Sequence, residues 1–303
     1  MDVTPWNYPF VLKLWKPDVL FVESAWMGRW NSWRYKIASY PDHPKRSNAR
    51  LARVVEAARD AHIPAVFWNR EDGAHFHRFV DSARHFDRIY TVDENTIPRY
   101  RDVVSDQVPV EVLMFAAQPA IHFPRSTELV RRASFVGSYD RHIHPRRRSW
   151  QDMIFEAAVT IGLTVYDRNS SRRPDKYRYP DRPWIKVRKA IRHERTAEVY
   201  RSHVVNINVN TVDQSATAFS RRLVEILACG GFAVTNPTPA AVRLFGDFCR
   251  VLDSGEEARA LFERLAREGL SHAEREQTRA AADHVQRNHT WRHRLEQVAG
   301  ACG

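Results

Sequence analysis

Apolar residues fall along the chain in two alternating kinds of segment: short continuous runs, and longer stretches in which they return every three or four positions. In the first half "VLFVESAW" reads as a strand and "SNARLARVVEAARDAH" as an amphipathic helix. The strand "AVFWN", the helix "AHFHRFVDSARHF", the strand "RIYTVD", the helical "NTIPRYRDV" and the strand "VEVLMF" follow. The pattern stops over 116–132, "AAQPAIHFPRSTELVRR", which reads as a linker. It resumes with the strand "ASFVGSY", the helix "PRRRSWQDMIFEAAVTIG" and the strand "LTVYDR". An irregular basic stretch runs from there to Ile191. Then come the helix "RTAEVYRSH", the strand "VVNINVN", a helix holding Arg221 and Arg222, and the strand "FAVTN". The strand "CRVLD", the helix "GEEARALFERLARE" and a last helical pair end the chain. Gly230 and Gly231 follow the apolar run Leu223, Ile226, Leu227 and Ala228, which predicts a helix end in the left-handed region.

This alternation predicts an α/β fold with parallel sheets, arranged as two Rossmann-like domains facing a central cleft. The first domain spans 1–115 and the second 133–285, with a C-terminal helix over 286–303 set to pack back on the first. Ligands of such sheets sit at the carboxyl ends of strands. Polar residues collect there: Glu23 and Ser24; Asn69, Arg70, Glu71 and Asp72; Asp93; Ser138 and Tyr139; Asp167 and Arg168; Asn208 and Asn210; Asn236.

Composition narrows the ligand. The 303-residue chain carries a net charge of +11, mostly from arginine, which reflects either a GC-rich genome or anionic partners. No apolar run approaches a membrane span. The start lacks a secretory pattern, and three cysteines without disulfide or metal spacing suit a reducing cytosol. There is no GxGxxG, no GxxxxGK[ST] and no Asp-x-Asp, so a phosphate-bearing ligand would have to be neutralised by side-chain cations and helix N-termini. Arg221 and Arg222 open a helix that Ser220 is placed to cap, a position where cations are unfavourable unless an anion is near. Glu225 lies four residues beyond Arg221, so it serves either an i,i+4 ion pair or ligand hydroxyls. His142 and His144 lack the partners of a metal site, and His289 and His293 suit packing or surface.

The blocks "FWNREDGAHFHRF…FDRIYTVDENTIPRYR", "SFVGSYDRHIHPRRR", "NINVNTVDQSATAFSRRLVEILACGGFAVTN" and "HTWRHRLEQV" resemble, in order, the CgeB-like glycosyltransferases of the GT-B superfamily, group 1 type. The resemblance covers nearly the whole chain. It implies a GT-B-like fold, a nucleotide-sugar donor held mainly by the second domain, and an acceptor approaching the first. It implies that Glu225 contacts the donor ribose and that Arg221 and Arg222 face the diphosphate. Gly137, Ser138, Tyr139, Asp167, Arg168, Asn208, Asn210 and Ser220 are then the other donor-side candidates. Glu23, Ser24, Trp26, Asn69, Glu71, Asp72 and His75 lie on the acceptor side. Two departures stand out. A second glutamate of the broader retaining group is here Thr217, so the stereochemistry is not carried over. Relatives usually have an extra strand and loop before "VLFVESAW", so either the first sheet is one strand smaller or the start is trimmed.

The expected reaction is metal-independent glycosyl transfer in the cytoplasm, with no cofactor beyond the donor. Were transfer to invert, Asp72 is the first candidate base, its alternative role being a helix N-cap. The basic stretch "DRNSSRRPDKYRYPDRPWIKVRKAIRHER" suits a phosphorylated or lipid-linked acceptor, or peripheral contact with a membrane surface. A nucleic-acid-binding protein and an inactive structural relative are the rivals, although no nucleic-acid partner is expected on the main reading.

Overall fold

Every residue of the run Ala65–Asn69 is buried, as in an inner parallel strand covered on both faces. In the computed structural model, which describes residues 2–172 and 174–302, this run is the second strand of a four-stranded sheet. Its members are β1 (Leu20–Glu23), β2 (Ala65–Asn69), β3 (Arg88–Thr91) and β4 (Val110–Val112), all parallel and in the order β1-β2-β3-β4. The helices of this unit are α1 (Tyr8–Phe10), α2 (Ala49–Asp60), α3 (Phe76–Ala83) and α4 (Ile97–Arg101). Helix α2 turns Leu51, Val54, Val55 and Ala58 inward, the spacing legible in its sequence. The core gathers Phe67, Phe79, Phe86, Ile89 and Tyr100. Chain up to Met114, together with the stretch from Leu295, makes up this unit.

Phe115–Arg294 forms the second unit. Its strands are β5 (Val130–Gly137), β6 (Leu163–Asp167), β7 (Ile185–Lys189), β8 (His203–Ile207), β9 (Ala233–Thr235) and β10 (Arg250–Val251). They are parallel in the order β10-β9-β8-β5-β6-β7. The helices between and after them are α5 (Pro145–Ala157), α6 (Thr196–Ser202), α7 (Arg221–Ala228), α8 (Pro239–Phe245), α9 (Gly255–Glu268) and α10 (His272–Asn288), followed by the terminal α11 (Trp291–Cys302), whose residues from Leu295 count with the first unit. From β5 the chain winds outward through β6 and β7 in one direction and through β8, β9 and β10 in the other, the strand order of a Rossmann sheet. The winding reverses between β5 and β8, and the crevice such a reversal opens lies at their carboxyl ends.

Three elements depart from the sequence reading. Strand β7 lies inside the stretch read as irregular: four of its five residues are exposed, so no apolar alternation marks it. Helix α8 has seven residues, begun by Pro239 and capped by Thr238, whose hydroxyl accepts from the Ala241 N–H. Helix α1 precedes the first predicted strand. Of the glycine pair read as a left-handed helix end, Gly230 is left-handed and Gly231 is not. Gly230 takes φ +70 after α7, and a Cβ on Gly231 would stand 2.7 Å from the Tyr200 carbonyl oxygen. Among the described residues no helix is long and apolar enough to cross a membrane, and the three cysteines are free.

Candidate functional site

Strand β5 ends at Gly137 where the first turn of α7 passes, and Arg222 reaches back beneath it. Its Nε donates to the Val136 carbonyl at 2.5 Å, and its guanidinium lies 4.6 Å from the Phe135 ring centroid. Arg147, from α5, sends Nη2 to the Ser138 carbonyl at 3.1 Å. Three enclosed polar atoms here have no hydrogen-bond partner among the described residues: Arg222 Nη1, Arg147 Nε and the Tyr179 hydroxyl. Burial lowers the pKa of both arginines, that of Arg147 to about 10 with Arg222 adding to the effect. Both stay charged at neutral pH. Two like charges held together with unfilled N–H groups are costly in isolation, and an anion would satisfy both defects at once.

Of the predicted neighbours, Gly137, Ser138 and Asp167 stand at the ends of β5 and β6. Asp167 is buried, which raises its pKa, and it accepts the Asn169 backbone N–H at 2.7 Å. Arg168 is exposed, and its backbone N–H binds the Gly137 carbonyl at 2.8 Å. Tyr139 turns into the core. Its hydroxyl donates to Asp152 at 2.5 Å, and burial with that carboxylate pushes it up to about 12.

The double arginine divides. Arg221 forms the i,i+4 pair, Nε to Glu225 Oε1 at 2.9 Å, while Arg222 serves the β5 end. Glu225 is 4% exposed, and burial raises its pKa against the lowering by Arg221. His193 Nδ1 lies 3.8 Å from Glu225 Oε1, and with His122 these three form a group whose ligand atoms all lie within 4.8 Å. Ser220 occupies the cap position of α7, but its side chain makes no capping bond. Asn210 acts instead, its Oδ1 taking the Ser220 backbone N–H at 2.8 Å. Asn208 donates to Asn210 Oδ1 and to Thr235 Oγ1, and the Asn236 side chain ties to the Asn210 backbone. These asparagines pin the strand ends to the helix start.

In the first unit the predicted residues form two groups. Arg70 Nε donates to the Ser24 carbonyl at 3.1 Å, and its Nη1 lies 3.3 Å from Glu23. Trp26 packs edge-on against His75, with ring centroids 5.4 Å apart, and Glu71 is half-buried on the same turn. Asp72 is 2% exposed, its oxygens taken by Asn69 at 2.6 Å and the Tyr100 hydroxyl at 2.9 Å. Burial pushes its carboxyl up to about 7. It does not cap α3, which is entered at His75 without a side-chain cap. Asp93 caps the turn before α4 through the Asn95 N–H. A cavity of about 600 Å³ runs beside β1, lined by Trp15, Lys16, Glu23, Arg29 and Trp33 among others.

His142 contacts Asp140, and His289 is buried against Arg294 Nη2 at 3.0 Å, which is the packing alternative of the two roles read for it. Sequence reasoning left out Arg147, Tyr179, His122 and His193. Arg147 lay in view within "HPRRR", indistinguishable from its neighbours. His122 and His193 come from separate segments and belong to no motif.

Residues 146–300 match a family described as glycosyl transferase-like. No curated protein matches the chain. Among solved structures it is similar to a glycosyltransferase from Rickettsia africae ESF-5, at 10% identity and TM-score 0.57, over 98% of this chain and 93% of that one. It is similar to an Anabaena protein, HepE, solved in complex with UDP and glucose, at 11% identity and TM-score 0.55, over 84% and 76%. A sucrose-phosphate synthase from Thermosynechococcus elongatus gives 13% identity and TM-score 0.55, over 82% and 71%. At these identities the likeness is one of fold: two parallel α/β sheets of the GT-B kind.

Proposed function

Because the chain belongs to the glycosyl transferase-like family, we propose that it moves a sugar from a nucleoside-diphosphate sugar to a hydroxyl acceptor, without a metal ion. The four sequence blocks support a CgeB-like member. The observation that carries the reading is the pair Arg147 and Arg222, enclosed at the crevice of the Rossmann sheet with N–H groups unfilled. Transfer breaks the bond between the anomeric carbon and the diphosphate and forms one to the acceptor oxygen, whose hydrogen leaves as a proton. Charge grows on the departing diphosphate as the sugar becomes oxocarbenium-like, and fixed guanidinium donors stabilise that charge without reorganising. They supply what a divalent ion supplies elsewhere. Glu225 receives the ribose hydroxyls in this reading. HepE, solved with UDP and glucose, is a fold neighbour consistent with such a donor.

The first unit serves the acceptor, a glycan, a lipid-linked molecule or a small molecule, through Glu23, Glu71 and His75. The exposed basic residues of β7 suit contact with an anionic membrane surface, and the free cysteines suit a reducing cytoplasm. The test is thermal unfolding against UDP, GDP, dTDP, CDP and ADP, with magnesium and with a chelator. One nucleoside diphosphate at a hundred times its Kd should add ~2.7 kcal/mol of stability, equally in both conditions. No shift with any of the five would sink the reading, and a shift that needs magnesium would sink its metal-free form.

A further inference from the structure

His122, on the segment leading to β5, is fully buried, yet its Nδ1 has no partner among the described residues. A hydrogen-bond relay fixes its tautomer. The Thr196 hydroxyl gives its hydrogen to the His193 carbonyl at 2.8 Å, so it has lone pairs left for His122 Nε2, 3.1 Å away. Nε2 therefore carries the proton, and Nδ1 is a bare acceptor. A buried acceptor without a donor is unfavourable unless a ligand supplies one. A ring nitrogen of His122, a ring nitrogen of His193 and a Glu225 carboxylate oxygen all lie within 4.8 Å of one another.

We propose that His122 Nδ1 and the Glu225 carboxylate accept the two hydroxyl hydrogens of a vicinal diol, so that the site selects ribonucleoside over 2′-deoxyribonucleoside diphosphates. This rests on the reading that Glu225 faces the donor ribose, and it adds His122 as the residue that sets the sugar preference. A divalent cation is the competing occupant of the same three side chains. Arg221 Nε already lies 2.9 Å from Glu225, so a dication would meet a guanidinium charge at close range. A neutral diol meets no such repulsion. Burial, followed by the electrostatic effects of His193, Arg221 and Arg201, lowers the His122 pKa to about 3. The ring is therefore neutral in any ordinary assay, and Nδ1 remains an acceptor.

The experiment is calorimetric titration of UDP, GDP, CDP and ADP, each beside its 2′-deoxy counterpart, into wild type, His122→Phe and His122→Asn. For the base that binds, the deoxy ligand should bind about tenfold more weakly to wild type. In His122→Phe the ribo ligand should fall to the deoxy level, and His122→Asn, which returns an acceptor oxygen, should restore part of the ratio. A ratio near one in wild type overturns the proposal, and that measurement needs no variant to fold. A ratio unchanged in His122→Phe also overturns it, because Glu225 alone would then read the ribose. Nucleotide binding that requires added Zn²⁺ or Mg²⁺ overturns it in favour of a cation. Failure of every nucleoside diphosphate to bind overturns the function proposed above along with it, whereas binding without discrimination overturns this inference alone.

Discussion

The guanidinium of Arg222 occupies the space that a side chain at residue 137 would need: a Cβ on Gly137 would lie 2.7 Å from Arg222 Nη2 and 2.7 Å from the Phe135 ring. The glycine therefore positions the cation. Gly137→Ala should push the guanidinium off the β5 end and weaken nucleoside-diphosphate binding by tenfold or more, with a smaller loss of stability. Calorimetric titration beside a urea melt separates the two effects. Undiminished binding would show that Arg222 does not need this place.

Arg222 and Arg221 should fail differently. Arg222→Ala removes one preorganised donor and should cost ~3 kcal/mol of transition-state stabilisation, roughly a hundredfold in kcat. Arg222→Lys should not restore it, because lysine lacks the planar fork. Arg221→Ala strips the cation from buried Glu225, so it should raise KM for the donor more than it lowers kcat. Steady-state kinetics on the three variants reads the split, and wild-type rates throughout would remove the arginines from the mechanism.

Asp72 gives a prediction with a sign. Burial pushes its folded-state pKa up to about 7, well above the ordinary aspartate value of 3.8. The folded protein thus holds a proton that the unfolded chain has released. That contribution is complete below about pH 4 and is lost as pH rises through about 7. Asp72→Asn should flatten this loss and leave the protein more stable than wild type at pH 8, with turnover changed only a few-fold. Urea melts at pH 5 and pH 8 measure the first part. Collapse of turnover with an unaltered stability profile would instead make Asp72 the catalytic base.

A control comes from α10. Ser271 caps it in a capping box, its hydroxyl accepting from the Glu274 N–H while Glu274 reaches the Ser271 N–H. Ser271→Ala should cost ~1 kcal/mol of stability. Nucleotide affinity should not change, because no candidate residue lies on this helix. A shifted Kd would mean that α10 governs the crevice.

The fold was legible where burial is one-sided or complete. Buried β2 and the Leu51, Val54, Val55, Ala58 stripe of α2 leave plain patterns, and Gly230 announces the end of α7. Strand β7 was not legible, because water covers most of it and its residues carry no period. The site was legible in part for a similar reason. Arg222, Glu225 and Gly137 lie in motif-like blocks, whereas Arg146, Arg147 and Arg148 read alike in sequence. Folding separates them: Arg146 pairs with Asp213, Arg148 donates to the Arg141 carbonyl, and Arg147 alone of the three turns to Ser138. Asn210 in place of Ser220 as the partner of the α7 start is a tertiary contact across ten residues, beyond any local capping rule.

The two margins of the second sheet have a consequence for the protein at high concentration. At one margin β10 is two residues long, and at the other β7 presents Lys186, Arg188 and Lys189 to water. A short strand and a positively charged strand are both poor templates for a neighbouring chain, so the sheet resists edge-to-edge aggregation. Neutralising those three cations should leave nucleotide affinity intact and shorten the shelf life of concentrated protein, as light scattering over days would record.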